Sequence, residues 1–170
     1  MSMSGPDDII AELPKLRRFA VSLTGNRPDA DDLLQRTVER LLSRPIPDGA
    51  HLLKWSFRIC RNLWIDEIRS RQVRNPVNVE EITPVLYSED GERTVMNRLT
   101  LGDVDKAMSA LPSEQREVIS LIAVEGLSYA DASDVLDVPI GTIMSRVSRA
   151  RRNLSKLLHS NDPTPNVARR

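Results

Sequence analysis

Cysteine is nearly missing from this chain. Cys60 stands alone among 170 residues, so no internal disulfide can form, and His51 and His159 have no cysteine partners with which to build a zinc site. A reducing compartment is the simplest setting, and the cytoplasm is the expected location. Long apolar runs are missing too: no segment approaches the length that spans a bilayer, and the first residues hold no stretch of signal-peptide length. Membrane insertion is therefore not expected. Net charge is also absent, since 24 Lys and Arg balance 24 Asp and Glu. Affinity for an anionic partner must then come from charge segregated along the chain. Finally, there is no phosphate-binding loop, metal-ligand set or nucleophile with its base, and helix caps and solvated faces account for the Ser, Asp and Glu residues. An enzyme is not expected, nor are catalytic residues, a metal or a cofactor.

What is present is helical periodicity. With 40% hydrophobic and 4% aromatic residues, the chain can fold as one ordinary domain or two small ones, and the pattern favours two. The first, residues 9–74, reads as three or four helices. Ile9 to Thr24 forms one, with Pro14 as a point of restart and Gly25-Asn26 as its end. Asp29 to Ser43 follows, with Leu33, Leu34, Thr37, Val38, Leu41 and Leu42 as its apolar stripe. Pro45 to Gly49 must be loop. His51 to Arg74 then reads as one long amphipathic helix with Leu52, Trp55, Ile59, Leu63 and Ile68 inward. Trp55 is expected in the core, while Trp64 falls off the stripe and stays open between core and stacking platform.

Residues 75–97 lose all periodicity in prolines and acids, which predicts a flexible acidic linker. The second block spans 98–159: a helix over Val104 to Ala110, another over Ser113 to Val124 after the Leu111-Pro112 break, then a pair. The tail, 160–170, is expected to be disordered. The fold class is thus all-α, two small helical domains joined by a flexible linker. Charge is segregated along it. Lys54, Arg58, Arg61, Arg69, Arg71 and Arg74 face only Asp66 and Glu67 in the long helix, whereas residues 77 to 105 are dominated by acids.

The last pair is a helix-turn-helix pattern. Ser128 three residues before Asp131 is a capping signature, Ala132, Val135 and Leu136 make a buried side, and Asp137-Val138-Pro139 breaks the helix. A second helix starts near Ile140 with Ile143, Val147, Ala150, Leu154, Leu157 and Leu158 on one stripe, and no acid occurs from Pro139 to His159. Such a helix can lie in a DNA major groove, or it can be a solvated basic face on a structural helix; the capped helix and short turn before it favour DNA.

Four segments in order resemble a known family: Ala30-Asp31-Asp32-Leu33-Leu34-Gln35; Trp55-Ser56-Phe57-Arg58-Ile59-Cys60-Arg61-Asn62 continuing to Asp66 and Arg69; Leu111-Pro112-Ser113-Glu114-Gln115-Arg116 with Gly126-Leu127-Ser128-Tyr129; and Pro139-Ile140-Gly141-Thr142-Ile143-Met144-Ser145-Arg146. Together they resemble the extracytoplasmic-function class of bacterial sigma factors, which keep only the second and fourth sigma regions. Leu13-Pro14-Lys15-Leu16-Arg17-Arg18 is further similar to the general-stress members of alphaproteobacteria. The resemblance implies that residues 9–74 are a region 2-like domain and residues 98–159 a region 4-like one. It also implies docking of Asp32, Leu33, Gln35 and Arg36 on core RNA polymerase, although Arg36 stands where the family usually has an acid, which would weaken docking unless the local contact differs. For Asp31 a favourable interaction with the helix dipole is the preferred reading.

For promoter DNA the resemblance implies a −10 surface from Ile46, Asp48, Arg58, Arg61, Asn62, Arg69 and Arg71, with the loop and Asn62 around an extruded base and the arginines near phosphates. It implies a −35 surface from Thr142, Ser145, Arg146, Arg149 and Arg152, with Met144 where relatives often carry a cation. An anti-sigma factor is the expected regulator. We further expect the linker acids Glu80, Glu81, Glu89 and Asp90 to screen the basic faces. Two alternatives stay open: a polymerase-independent helix-turn-helix regulator, and a sigma-like decoy that sequesters an anti-sigma factor.

Overall fold

A computed structural model describes residues 6–75 and 100–160. The described residues are all helix and connecting turn. In the first block, α1 (Pro6–Thr24), α2 (Arg27–Ser43) and α3 (Leu52–Arg74) pack pairwise against one another. Pro14 lies inside α1 without ending it, so the helix runs through the expected restart. Gly25, at φ 74°, turns the chain, and Asn26 caps α2 by accepting the Asp29 backbone N–H at 2.9 Å. Pro28 supplies a preorganised first turn. Arg17 and Asp31, 3.0 Å apart, strap α1 to α2, which gives Asp31 a cation to hold in addition to any dipole role.

The centre of this bundle is Phe19 edge-on to Phe57, ring centroids 4.9 Å apart, with both side chains fully buried. Here the expected inward stripe of α3 needs correction. The buried residues are Leu53, Ser56, Phe57, Cys60, Leu63 and Trp64, while Leu52, Trp55, Ile59 and Ile68 are only half-buried. The seam is rotated because α3 is pressed closely by its neighbours. Small Ser56, whose hydroxyl donates to the Leu52 carbonyl at 2.7 Å, and Cys60 are both buried in it. Leu42 is corrected as well: it ends the α2 stripe but is 59% exposed.

In the second block, Thr100 and Asp103 form a reciprocal capping box that starts α4 (Leu101–Ser109). Helix α5 (Ser113–Ile119) passes into a wider π-helical turn, Ser120–Val124, closed by the Glu125 N–H on the Ser120 carbonyl at 3.0 Å. Gly126, at φ 75°, then ends it. Arg116 is buried and its guanidinium donates to the Ser109 carbonyl at 3.1 Å, tying α5 to the end of α4. Ser128 caps α6 (Tyr129–Leu136) by accepting the Asp131 N–H at 3.0 Å, Asp137 takes a left-handed φ of 53°, and α7 (Ile140–Ser160) begins after Pro139. Ile143, Val147 and Ala150 are fully buried, as their spacing requires.

The two blocks are not apart. α3 lies against α6 and α1 against α5, and one apolar core runs from Leu16 and Phe57 through Val118 and Leu121 to Val135 and Ile143. Residues 76–97 of the expected linker, including its four screening acids, and the tail beyond Ser160 lie outside the described residues. Among the described residues no helix is long and apolar enough to cross a membrane.

Candidate docking and nucleic-acid surfaces

Three surfaces carry the residues singled out above. The first is a cleft between α2 and α3, lined by Asp29, Asp32, Gln35, Arg36, Glu67 and Arg71, with Leu33 and Trp64 beneath. Asp32 and Gln35 are exposed, and Gln35 donates to Glu39 at 3.2 Å. Leu33 is 2% exposed, so it supports the cleft floor more than it offers an apolar contact. Arg36 reaches across to Glu67 at 3.1 Å. That bridge supplies the carboxylate that Arg36 itself does not, and no local pattern hints at a partner 31 residues away.

Arg71 completes this network. It binds Glu67 at 2.8 Å and Asp29 at 3.2 Å while its guanidinium carbon sits 5.4 Å from the Trp64 ring centroid. Its hydrogen bonds hold both carboxyls below the usual carboxylate range, with Asn26 assisting at Asp29 and Arg36 at Glu67. The structure thus places Arg71 with the α2 residues and away from the other arginines grouped with it by sequence. Helical spacing explains this: Arg58, Arg61, Asn62 and Arg69 recur on one face, whereas Arg71 recurs with Phe57 and Trp64.

That face of α3 is the second surface. Arg58, Asn62 and Arg69 are exposed, and the preceding loop brings an exposed Asp48 and a half-buried Ile46. Arg61 is different, since its Nε donates to Glu117 of α5 at 3.2 Å and its side chain is 17% exposed. The third surface is the first half of α7. Ser145 donates to the Thr142 carbonyl at 3.0 Å and accepts from Arg149 at 3.3 Å, so Thr142, Ser145 and Arg149 form one local set. Arg149 and Arg152 are exposed, as is Met144 at 54%, but Arg146 is held by Glu114 at 2.9 Å with 14% of its side chain exposed.

Sequence reasoning missed the acids that hold these cations. Glu114 and Glu117 on α5 sit in an apolar-flanked helix whose charges read as solvated, and their partners are distant in sequence. So are Lys54–Asp131 at 2.7 Å and Arg18–Glu125, a two-bond pair at 2.8 and 2.9 Å. Burial pushes the Glu117 carboxyl above the usual range, opposed by Arg61 and Arg146. Lys54 holds the Asp131 carboxyl below it, with help from Ser128.

An all-helical chain with a mixed-charge cleft on one block and a helix-turn-helix on the other matches two family models: Sigma2 domain of PhyR over residues 9–57 and Sigma-70, region 4 over residues 101–154. The chain belongs to the extracytoplasmic-function sigma factors of the sigma-70 family. It is 39% identical over 155 residues to ECF RNA polymerase sigma factor EcfG of Rhodopseudomonas palustris, covering 90% of this chain and 84% of that one. Over 144 residues it is 35% identical to SigL of Mycobacterium tuberculosis, covering 82% and 80%. Among solved structures, the sigma factor RpoE in complex with the anti-sigma factor NepR from Bartonella quintana matches with a TM-score of 0.70 and 35% identity, over 92% of this chain and 97% of that one. CnrH, solved with the cytosolic domain of CnrY, shares the fold at a TM-score of 0.62 and 23% identity.

Proposed function

We propose that this chain is a promoter-specificity subunit that binds core RNA polymerase, directs it to promoters with −35 and −10 elements and helps melt the DNA. The carrying observation is that one chain presents three separate surfaces of the kinds such a subunit needs. The α2–α3 cleft, with exposed Asp32 and Gln35 beside the paired Arg36 and Glu67, suits a mixed-charge partner surface that must be released again. The Arg58, Asn62 and Arg69 face suits a single strand, because an amide can read an extruded base while cations hold the backbone. Thr142, Ser145, Arg149 and Arg152 at the start of α7 suit a major groove, where each good arginine–guanine pair discriminates by about 1–3 kcal/mol. The domain boundaries follow: 9–74 for polymerase and the −10 element, 98–159 for the −35 element, and 75–97 as the connector.

An anti-sigma factor is the proposed regulator, supported by the solved complex of the 35%-identical RpoE with NepR, and a role in general stress rests on the resemblance carried by Leu13 to Arg18. The test is run-off transcription from a promoter library with purified core polymerase, with and without this protein. Defined starts sharing a two-part upstream motif are expected. One observation favours a second reading: residues 9–57 match the sigma2 domain of PhyR, a protein solved as an anti-anti-sigma factor in complex with NepR. A decoy of that kind would give no starts while still binding the anti-sigma factor. The exposed Arg58, Arg69, Arg149 and Arg152 weigh against it, because a decoy has no use for DNA-facing cations.

A further inference from the structure

The first turns of α7 carry more than cations. Ile140 and Met144, one turn apart, are 48% and 54% exposed although both side chains are large and apolar. At about 100° per residue they stand roughly 40° apart on one flank of the helix, which Ser148 and Arg151, both exposed, continue. Thr142, Ser145 and Arg149 occupy the other flank, joined through the Ser145 hydroxyl, and Ile143, Val147 and Ala150 are buried at the back. Gly141 lies between the flanks. A Cβ there would meet nothing within 4 Å, and its φ is not left-handed, so neither packing nor a turn requires glycine where it weakens the helix. What glycine leaves is clearance for a partner to come up to the helix backbone.

The pattern also narrows that partner. No acid occurs from Pro139 to Ser160, so charge favours an anionic one. The flank turns from apolar to polar after Met144, with Ser148 and then Arg151, whereas a lipid surface would ask for an apolar face along the whole helix. The major groove of duplex DNA has the matching form. Phosphates line its rims, and its floor offers one apolar group, the C5 methyl of thymine, which cytosine lacks. We propose that Ile140 and Met144 are a thymine reader: they pack on C5 methyl groups of the −35 element while Gly141 lets the base edges approach. This rests on the function proposed above, which places the start of α7 in the major groove, and adds the base selected on this flank. Burying a methyl against an apolar side chain needs no hydrogen-bond geometry, and the unbranched, flexible Met144 can follow the methyl as the groove varies. The Thr142, Ser145 and Arg149 flank reads by hydrogen bonds, so the two flanks divide base recognition between apolar and polar contacts.

The experiment uses the full chain with core polymerase on a promoter obtained from the run-off library, in which each −35 thymine, on either strand, is replaced in turn by uracil. Uracil keeps the hydrogen-bonding groups and pairing of thymine and lacks only the methyl. Affinity of the assembled polymerase is expected to fall about fourfold at the contacted thymines, the factor that corresponds to one buried methylene. Met144→Ala and Ile140→Ala, each at an exposed position, are expected to weaken binding to the thymine promoter and to bring the thymine-to-uracil ratio at those positions toward one. Equal losses on both DNAs, the signature of a residue that serves the fold or a protein partner, overturn the proposal. So does an element without A·T pairs, or one whose uracil forms bind as well as the thymine form. If the library gives no defined starts, the proposed function fails on its own, and the same uracil comparison is made on duplexes that the chain alone enriches from random double-stranded DNA. Failure to enrich any duplex there, or binding without dependence on the methyl, overturns the thymine reader as well.

Discussion

α3 and α7 are the two long basic helices of this protein, and they bury themselves differently. α7 meets α4, α5 and α6, all in its own block, through one stripe from Ile143 to Ala150 and on to the half-buried Leu154 and Leu157, leaving Arg149, Arg151 and Arg152 on the outside while Glu114 holds Arg146. α3 meets α1, α2 and α6, so burial spreads over much of its circumference and takes in the small Ser56 and Cys60. A helix packed on one side writes its orientation in its apolar spacing. A central helix does not, because close approach selects for small size as much as for hydrophobicity.

The sharpest test of that contrast is the pair of α3 tryptophans and the phenylalanine between them. Phe57→Ala is expected to cost about 3–5 kcal/mol by urea unfolding, since the ring is fully buried against Phe19. Trp64→Ala should fall in the same range and Trp55→Ala clearly below it, so the opposite order would restore the seam first read from sequence. On α7, Ile143→Ala should cost about 2–5 kcal/mol by the same measurement, with the loss confined to a residue whose role was legible from spacing.

Smaller effects probe the ends and the rim. Ser128→Ala removes the cap of α6 and should cost about 1 kcal/mol in thermal or urea unfolding. Arg71→Gln should cost less, within about 1 kcal/mol, because the pairs with Asp29 and Glu67 are partly solvated. Its pH signature is more informative than its size. Both carboxyls are depressed by Arg71, so their contribution is present above the ordinary carboxylate range and is lost as pH falls through their lowered values. Acid titrations of stability should therefore show Arg71→Gln converging on the unaltered chain at low pH and diverging from it above the ordinary range. A constant offset at every pH would mean that Arg71 acts through its contact with Trp64 alone.

Much of the fold was legible because it is local. The Ser128 cap, the glycine and proline breaks and the α7 stripe all follow from residues within one or two turns of each other, whereas the Asn26 and Thr100 caps, equally local, were found only in the structure. The candidate surfaces were legible as residue types but not as an arrangement. Arg71 read as one more cation on a basic helix until Asp29 and Glu67 drew it toward α2, and Arg36 read as a defect until Glu67 reached it. The contacts between blocks were beyond reach, since their partners lie between 56 and 107 positions apart and no local rule brings Glu125 to Arg18.

The π-helical turn at Ser120–Val124 has a consequence for descent. It holds one residue more than the α-helical path would, and it lies just before Glu125. Deleting a single residue there would let α5 close as an ordinary helix and swing the following position by about 100° around its axis. Glu125 would then leave Arg18 although neither residue had changed. Homologous chains one residue shorter in this turn would thus have lost the pair without a mutation at either end, and the length of the turn records its history better than the identity of the charges.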